Sequence, residues 1–316
     1  GNNILEVYET VKGVREYCIN HQKPYLIECM TFRMRGHEEA SGTKYVPPHL
    51  FTLWEQKDPV RNYEQYLIEN GLLSSEDIQS IQSESKEKIE HELQVAGFGA
   101  TIVPDTRKEL RDVYAPEWYY HDDQSLIDNS SPLKFQQSAE GAPEKRMIDA
   151  ISEGLRHSMQ HHPELILMGQ DIAEYGGAFK ITDGLVKEFG KERVRNTPLC
   201  ESAILGAALG LSLEGFKSMV EMQFADFSTV AFNQIVNHAA TEFWRTRTAC
   251  PIVFRLPCGG TLGSGPFHSQ TMESIYAHYP GLVVMTPATV EDAYSMLLEA
   301  VAINDPVIFC EHKYLY

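Results

Sequence analysis

Three stretches of this sequence place ionisable side chains where chemistry could use them. The first is Thr197-Pro198-Leu199-Cys200-Glu201. Thr197 suits a helix N-cap and Pro198 the first helical position, with an apolar run following. A capping-box acid would fall at Cys200, so Glu201 stands out of register for that task. Either Glu201 is a first-turn carboxylate favoured by the helix dipole, or it is held for chemistry. The second stretch, Pro266-Phe267-His268-Ser269-Gln270, joins a glycine-rich loop to a helical pattern. Such strand-to-helix loops bind ligands in parallel sheets, and an imidazole there can move protons near neutral pH. Capping or packing is the competing reading of His268. The third stretch, Arg33-Met34-Arg35-Gly36-His37, fits an anion pocket or a solvated basic loop. His157, His161 and His162 sit at a predicted helix end, where attraction to the C-terminal dipole accounts for them.

Nucleotide signatures are missing. Gly259 to Gly265 is glycine-rich without a G-x-G-x-x-G register. Gly184 to Lys191 misses the phosphate-loop spacing, and Glu192 stands where Ser or Thr is needed.

The elements that must position these residues divide into two styles. Early in the chain, Asn3 caps a predicted helix over Ile4–Cys18, and Tyr25–Phe32 reads as an apolar strand buried on both faces. A polar loop covers 33–46. Asp58-Pro59 opens a helix stopping at Asn70-Gly71, and Ser74 with Asp77 opens a charged helix to about Ala96. Residues 103–143 lose periodicity and read as a linker. Thereafter helix and strand alternate. Helices are predicted over Glu144–His161, Asp183–Phe189, Thr197 to about Leu213, Ser228–Trp244, Ser269–His278 and Thr289–Ala302. Strands are predicted over Leu165–Met168, Met219–Phe224, Ile252–Arg255, Leu282–Met285 and Val307–Cys310. The fold class is therefore α/β, a parallel sheet with helices on both faces. The division expected is 1–102, a linker 103–143, and 144–316.

Composition sets the bounds. The 316 residues carry a formal charge of −17, against a nucleic-acid partner, whose phosphates need clustered Lys and Arg. No apolar stretch approaches the ~20 residues of a membrane span. The start, Gly1-Asn2-Asn3-Ile4, shows no signal-peptide pattern and no initiator Met, so the sequence reads as an internal piece. Cys18, Cys29, Cys200, Cys250, Cys258 and Cys310 form no C-x-x-C pair, which favours free thiols and a cytoplasmic location.

Several motifs in one order resemble the thiamine-diphosphate-dependent 2-oxo acid dehydrogenases of the pyruvate and branched-chain type. They are Met168-Gly169-Gln170-Asp171, Tyr175 to Lys180, Asn196 to Glu201, Glu221 to Phe227, His268-Ser269-Gln270 and Asp305 to Phe309. Residues 144–316 look like the pyrimidine-binding domain of a beta subunit. Thr31 to His37 and Lys57-Asp58-Pro59 look like the end of an alpha subunit, fused in the same chain.

That resemblance implies a thiamine-diphosphate-binding fold and roles for particular residues. Glu201 would hydrogen-bond the pyrimidine ring nitrogen, favouring the imino tautomer that deprotonates the thiazolium carbon. Phe227 would stack on the aminopyrimidine, with Gln223 and Leu199 lining the same pocket. His268 would position substrate and assist acyl transfer to lipoamide, and His37 would lie near the diphosphate. The implied partners are a 2-oxo acid, a lipoyl acyltransferase core and a second fused chain, as a homodimer. No alpha-type Gly-Asp-Gly segment occurs here, so magnesium ligands are expected outside these residues and none is assigned within them. Nor does the beta subunit's C-terminal domain follow the last strand, so the piece alone is expected to be incomplete. Glu38 stands where relatives carry a regulated serine, and Ile303 and Asp305 depart from the potassium-binding pattern; neither property is carried over.

Glu221 to Phe227 favours 2-oxoisovalerate-type substrates, with pyruvate second. A transketolase-like sugar transferase is disfavoured by the alpha-type segment. A non-catalytic interaction fragment is disfavoured by Glu201, Phe227 and His268 occurring together.

Overall fold

Capping chemistry delimits the first helices. In α1 (Ile4–His21) the Asn3 side chain accepts the backbone N–H groups of Leu5 and Glu6. Pro48 occupies the first turn of α2 (Pro48–Glu55), and Asp58 accepts from the Arg61 N–H at the start of α3 (Pro59–Glu69). Ser74 and Asp77 cap α4 (Ser75–Val95) reciprocally. The structure, a computed structural model, describes residues 1–36, 42–101, 103–115, 144–260 and 263–316. It divides into two compact units, Gly1–Ile102 and Val103–Tyr316.

The strand expected over Tyr25–Phe32 does not form. A strand needs partners for its backbone groups, and no strand occurs among the described residues of this unit. Leu26 is 91% exposed. Phe32 lies edge-on to Phe51 at 5.4 Å and stacked on Trp54 at 5.9 Å, and Tyr25 meets Tyr17 edge-on at 5.5 Å. α2 escaped the sequence reading because eight residues give too little periodicity.

The second unit begins within the stretch read as a linker. Asp105 caps α5 (Thr106–Arg111), and the N–H of buried Ala115 donates to the Asp305 carboxylate at 2.9 Å. After α6 (Met147–His161) come β1 (Leu165–Gly169), α7 (Leu185–Phe189), β2 (Val194–Asn196), α8 (Glu201–Leu213) and β3 (Lys217–Glu221). Then follow α9 (Ala240–Thr246), β4 (Ile252–Cys258), α10 (Glu273–Tyr276), β5 (Val283–Met285), α11 (Val290–Ala302) and β6 (Val307–His312). All six strands pair in parallel, in the order β2-β1-β3-β4-β6-β5.

Successive strand residues point to opposite faces, and both faces are covered. Ile166, Met168, Val220, Phe254 and Ile308 pack with Ile204 and Leu205 of α8. Leu165, Leu167, Met219, Val253 and Phe309 pack with Ile151 and Leu155 of α6 and Leu297 of α11. The expected α/β class is what forms.

Two expected helices are broken up. Over 228–244 the chain makes a 3-10 turn (Ala225–Ala231), a π-helical turn (Gln234–Ala239) and α9. The Ser228 and Thr229 hydroxyls donate back three residues, to the carbonyls of Ala225 and Asp226, and tighten the first turn. Over 269–278 only α10 forms, because Asp226 takes the N–H groups of Ser269 and Gln270.

Candidate functional site

The chain runs outward from β1 to β2 and then returns to place β3 on the other side of β1. Parallel sheets bind ligands beyond the carboxyl ends of the strands at such a switch point. Gln170 follows β1, Glu201 opens α8, and Gln223 to Phe227 follow β3.

α8 starts at Glu201, with Cys200 at the N-cap, rather than at Pro198. Thr197 is no cap, because its N–H still pairs with the Gly169 carbonyl and holds the chain extended. Among the described residues its hydroxyl has no hydrogen-bond partner. The late start places Glu201 in the first position of the helix, where free N–H groups favour a carboxylate. Glu201 is 6% exposed, and Gln170 Nε2 donates to its Oε1 at 3.1 Å. Its other oxygen has no hydrogen-bond partner among the described residues. Gln223 and Phe227 are half-buried, and Leu199 is exposed.

His268 ends a 3-10 turn, Pro266–His268, after Gly263 and Gly265, both with positive φ. Its ring meets Phe224 edge-on at 4.7 Å and Phe227 at 5.4 Å. Phe224 also meets Phe227 at 5.7 Å and Phe179 at 5.8 Å. Among the described residues neither imidazole nitrogen has a hydrogen-bond partner. The ring is therefore gripped by carbon and free at its nitrogens.

Under this edge lies an ionic group that sequence reasoning missed. Arg255 is 1% exposed and binds Glu311 bidentately, at 2.6 and 2.7 Å. Its other Nη binds Glu221, and the Tyr316 hydroxyl donates to Glu311 at 2.6 Å. Burial raises the Glu221 carboxyl above its ordinary range against the pull of Arg255. Burial also works against the guanidinium charge, but Glu311 and then Glu221 more than offset it and hold Arg255 protonated. Gly177 supplies the close approach here: at its φ of +77 a Cβ would lie 2.8 Å from Glu221 Oε1. The signal in the sequence was Arg255 ending the otherwise apolar Ile252-Val253-Phe254 run.

The structure thus brings Phe227 and His268 into contact and sets Glu201 against Gln170, a residue given no role from sequence. Arg33 and Arg35 are exposed in the first unit, and His37 lies outside the described residues. Among the described residues no group of three or more His, Cys, Asp or Glu could hold a metal ion.

Residues 144–316 match the family model described as "Transketolase, pyrimidine binding domain". Residues 1–99 match "Dehydrogenase E1 component". The chain is 44% identical to the 2-oxoisovalerate dehydrogenase subunit beta of Bacillus subtilis (strain 168), over 54% of this chain and 52% of that protein. It is 41% identical to the pyruvate dehydrogenase E1 component subunit beta of Leifsonia xyli subsp. xyli, over 52% of this chain and 50% of that one. A solved structure titled "Split gene transketolase, inactive beta4 tetramer" superposes at a TM-score of 0.43 and 20% identity, covering 53% of this chain and 51% of that one. The chain spans about half the length of the curated relatives it matches.

The second unit is therefore a transketolase-type pyrimidine-binding domain. With an E1-type segment before it, the chain belongs to the E1 components of the thiamine-diphosphate-dependent 2-oxo acid dehydrogenases.

Proposed function

We propose that the intact protein decarboxylates a 2-oxo acid oxidatively and passes the acyl group to the lipoamide of an acyltransferase core. The observation that carries this is Glu201, a buried carboxylate at the switch point with one oxygen bound to Gln170 and the other free. A pyrimidine ring nitrogen carrying a proton fits that free oxygen, and Phe227 offers a half-buried ring in the turn after β3. Bound thiamine diphosphate would supply the electron sink that decarboxylation needs.

The protein residues would do the rest. Glu201 would hold a proton on the pyrimidine nitrogen, and Phe227, Gln223 and Leu199 would fix the ring. His268, with both nitrogens open, would orient the 2-oxo acid and exchange a proton during acyl transfer. His37 is assigned to the diphosphate side on resemblance alone, and magnesium ligands are assigned outside these residues.

The 2-oxoisovalerate type is the preferred substrate class, supported by the 44% relative, with pyruvate second, supported by the 41% relative. Six free thiols support a reducing, cytoplasmic compartment. The fused chains are assigned to a homodimer. Supporting that, a Cβ at Gly206 or Gly210, on the exposed side of α8, would meet no heavy atom within 4 Å. The division into 1–102, 103–143 and 144–316 is supported by the separate family matches.

Carbon dioxide release by the full-length enzyme, measured with an artificial electron acceptor, tests the reading. A higher kcat/KM for 2-oxoisovalerate than for pyruvate is expected. The reverse order would make this a pyruvate enzyme, and release from neither would support a non-catalytic interaction role.

A further inference from the structure

Two buried charges beside the candidate site have no countercharge bonded to them, and both are turned on one short piece of backbone. Lys313 follows β6 and is 5% exposed. Its Nζ donates to the His268 carbonyl at 3.0 Å and lies 5.2 Å from the Phe224 ring centroid. Among the described residues it has no other hydrogen-bond or ion-pair partner. Asp226 is 6% exposed and accepts the backbone N–H groups of Ser269 at 3.3 Å and of Gln270 at 3.3 and 3.4 Å. Burying an ammonium or a carboxylate without an ionic partner is unfavourable unless the hydrogen bonds it makes offset the lost hydration. Burial accordingly lowers the Lys313 pKa from its ordinary value, with Asp226 acting the other way.

The segment these charges hold needs holding. It follows two positive-φ glycines, Gly263 and Gly265, and forms no helix through Ser269 and Gln270. Three consecutive polar groups of its backbone, the carbonyl of His268 and the N–H groups of Ser269 and Gln270, are bound from opposite sides. Asp226 also lies between Phe224 and Phe227, the two rings that meet the His268 imidazole. One segment therefore fixes both the backbone and the ring of His268.

We infer that Asp226 and Lys313 are positioning residues that clamp the His268 backbone, so that its imidazole is presented with both nitrogens open. The inference rests on the proposed role of His268, but the clamp itself can be tested without that role. No carboxylate binds the imidazole among the described residues, so its aim depends on the backbone and the two rings. Displacement by ~1 Å costs up to about a hundredfold in rate for a group that must meet a reacting atom.

The test uses the full-length enzyme with 13C-labelled histidine, the His268 signal being identified by its loss in His268→Ala. Lys313→Met is expected to move or broaden that signal, and Lys313→Arg, which keeps a donor, to restore it. Turnover should fall by about tenfold to a hundredfold in Lys313→Met. In a His268→Ala background the same change should add less than about twofold, since both act through one group. Should Lys313→Met not fold, Asp226→Asn, which is nearly isosteric and keeps one acceptor, carries the same readouts. An unmoved imidazole signal in the folded variant overturns the clamp whatever happens to turnover. Penalties that multiply in the double variant overturn it as well. A moved signal with His268→Ala at full activity upholds the clamp and overturns instead the proposed role of His268.

Discussion

The two units of this chain are held by different means. In residues 1–102 the helices are delimited by caps at Asn3, Asp58 and Ser74, and no described residue is buried. Ile4, Tyr8 and Val11 line α1 with 52%, 63% and 47% exposure. In residues 103–316 a parallel sheet is covered on both faces, and even charged side chains such as Arg255 and Glu311 are buried. Local hydrogen bonds suffice to start and stop a helix, but a shaped site needs the second kind of structure. Glu201, Asp226 and Lys313 are 6%, 6% and 5% exposed, and each is held by groups distant in sequence.

The largest predicted effect breaks this difference at its centre. Arg255→Met leaves Glu221 and Glu311 buried without their countercharge and should cost the second unit about 3–5 kcal/mol. Denaturant unfolding followed on that unit measures it, and a loss under about 1 kcal/mol would show the group to be solvated. Hydrogen exchange sharpens the contrast without mutation. Amides of β3, β4 and β6 should open only with global unfolding, and those of α1 and α4 through local opening at far lower free energy. Equal protection in the two units would erase the distinction.

A third effect is alkaline. Burial pushes the Tyr276 hydroxyl from 10.0 up to about 12 and the Cys250 thiol from 9.0 up to about 12. Both values are raised in the folded state, so each group's contribution is fully present below its unfolded value and lost as pH rises to about 12. Stability of the second unit should therefore decline from pH 9 upward. Tyr276→Phe should remove the part that begins near pH 10. It should also cost about 1 kcal/mol at neutral pH by deleting the hydroxyl's hydrogen bond to Ser228.

What the sequence made legible follows the same division. The caps at Asn3 and Ser74 and the alternation after residue 144 could be read directly, because they depend on neighbours in the chain. The failures depend on distant partners. Tyr25–Phe32 had the composition of a buried strand but has no described strand to pair with. The start of α8 moved to Glu201 because Thr197 pairs with Gly169, and the helix expected from Ser269 was lost to Asp226. Glu201, Phe227 and His268 were singled out from motif spacing and family resemblance. Gln170, Asp226 and Lys313 were not, since their importance lies in whom they touch.

The central claim is that Glu201 at the switch point activates a pyrimidine-bearing cofactor. Glu201→Gln in the full-length enzyme keeps the size of the side chain and the acceptor for Gln170, so the fold should survive. Steady-state decarboxylation of 2-oxoisovalerate by that variant should fall by at least about two orders of magnitude, the scale of positioned acid–base catalysis. Near-normal turnover by a folded Glu201→Gln enzyme would contradict the assignment.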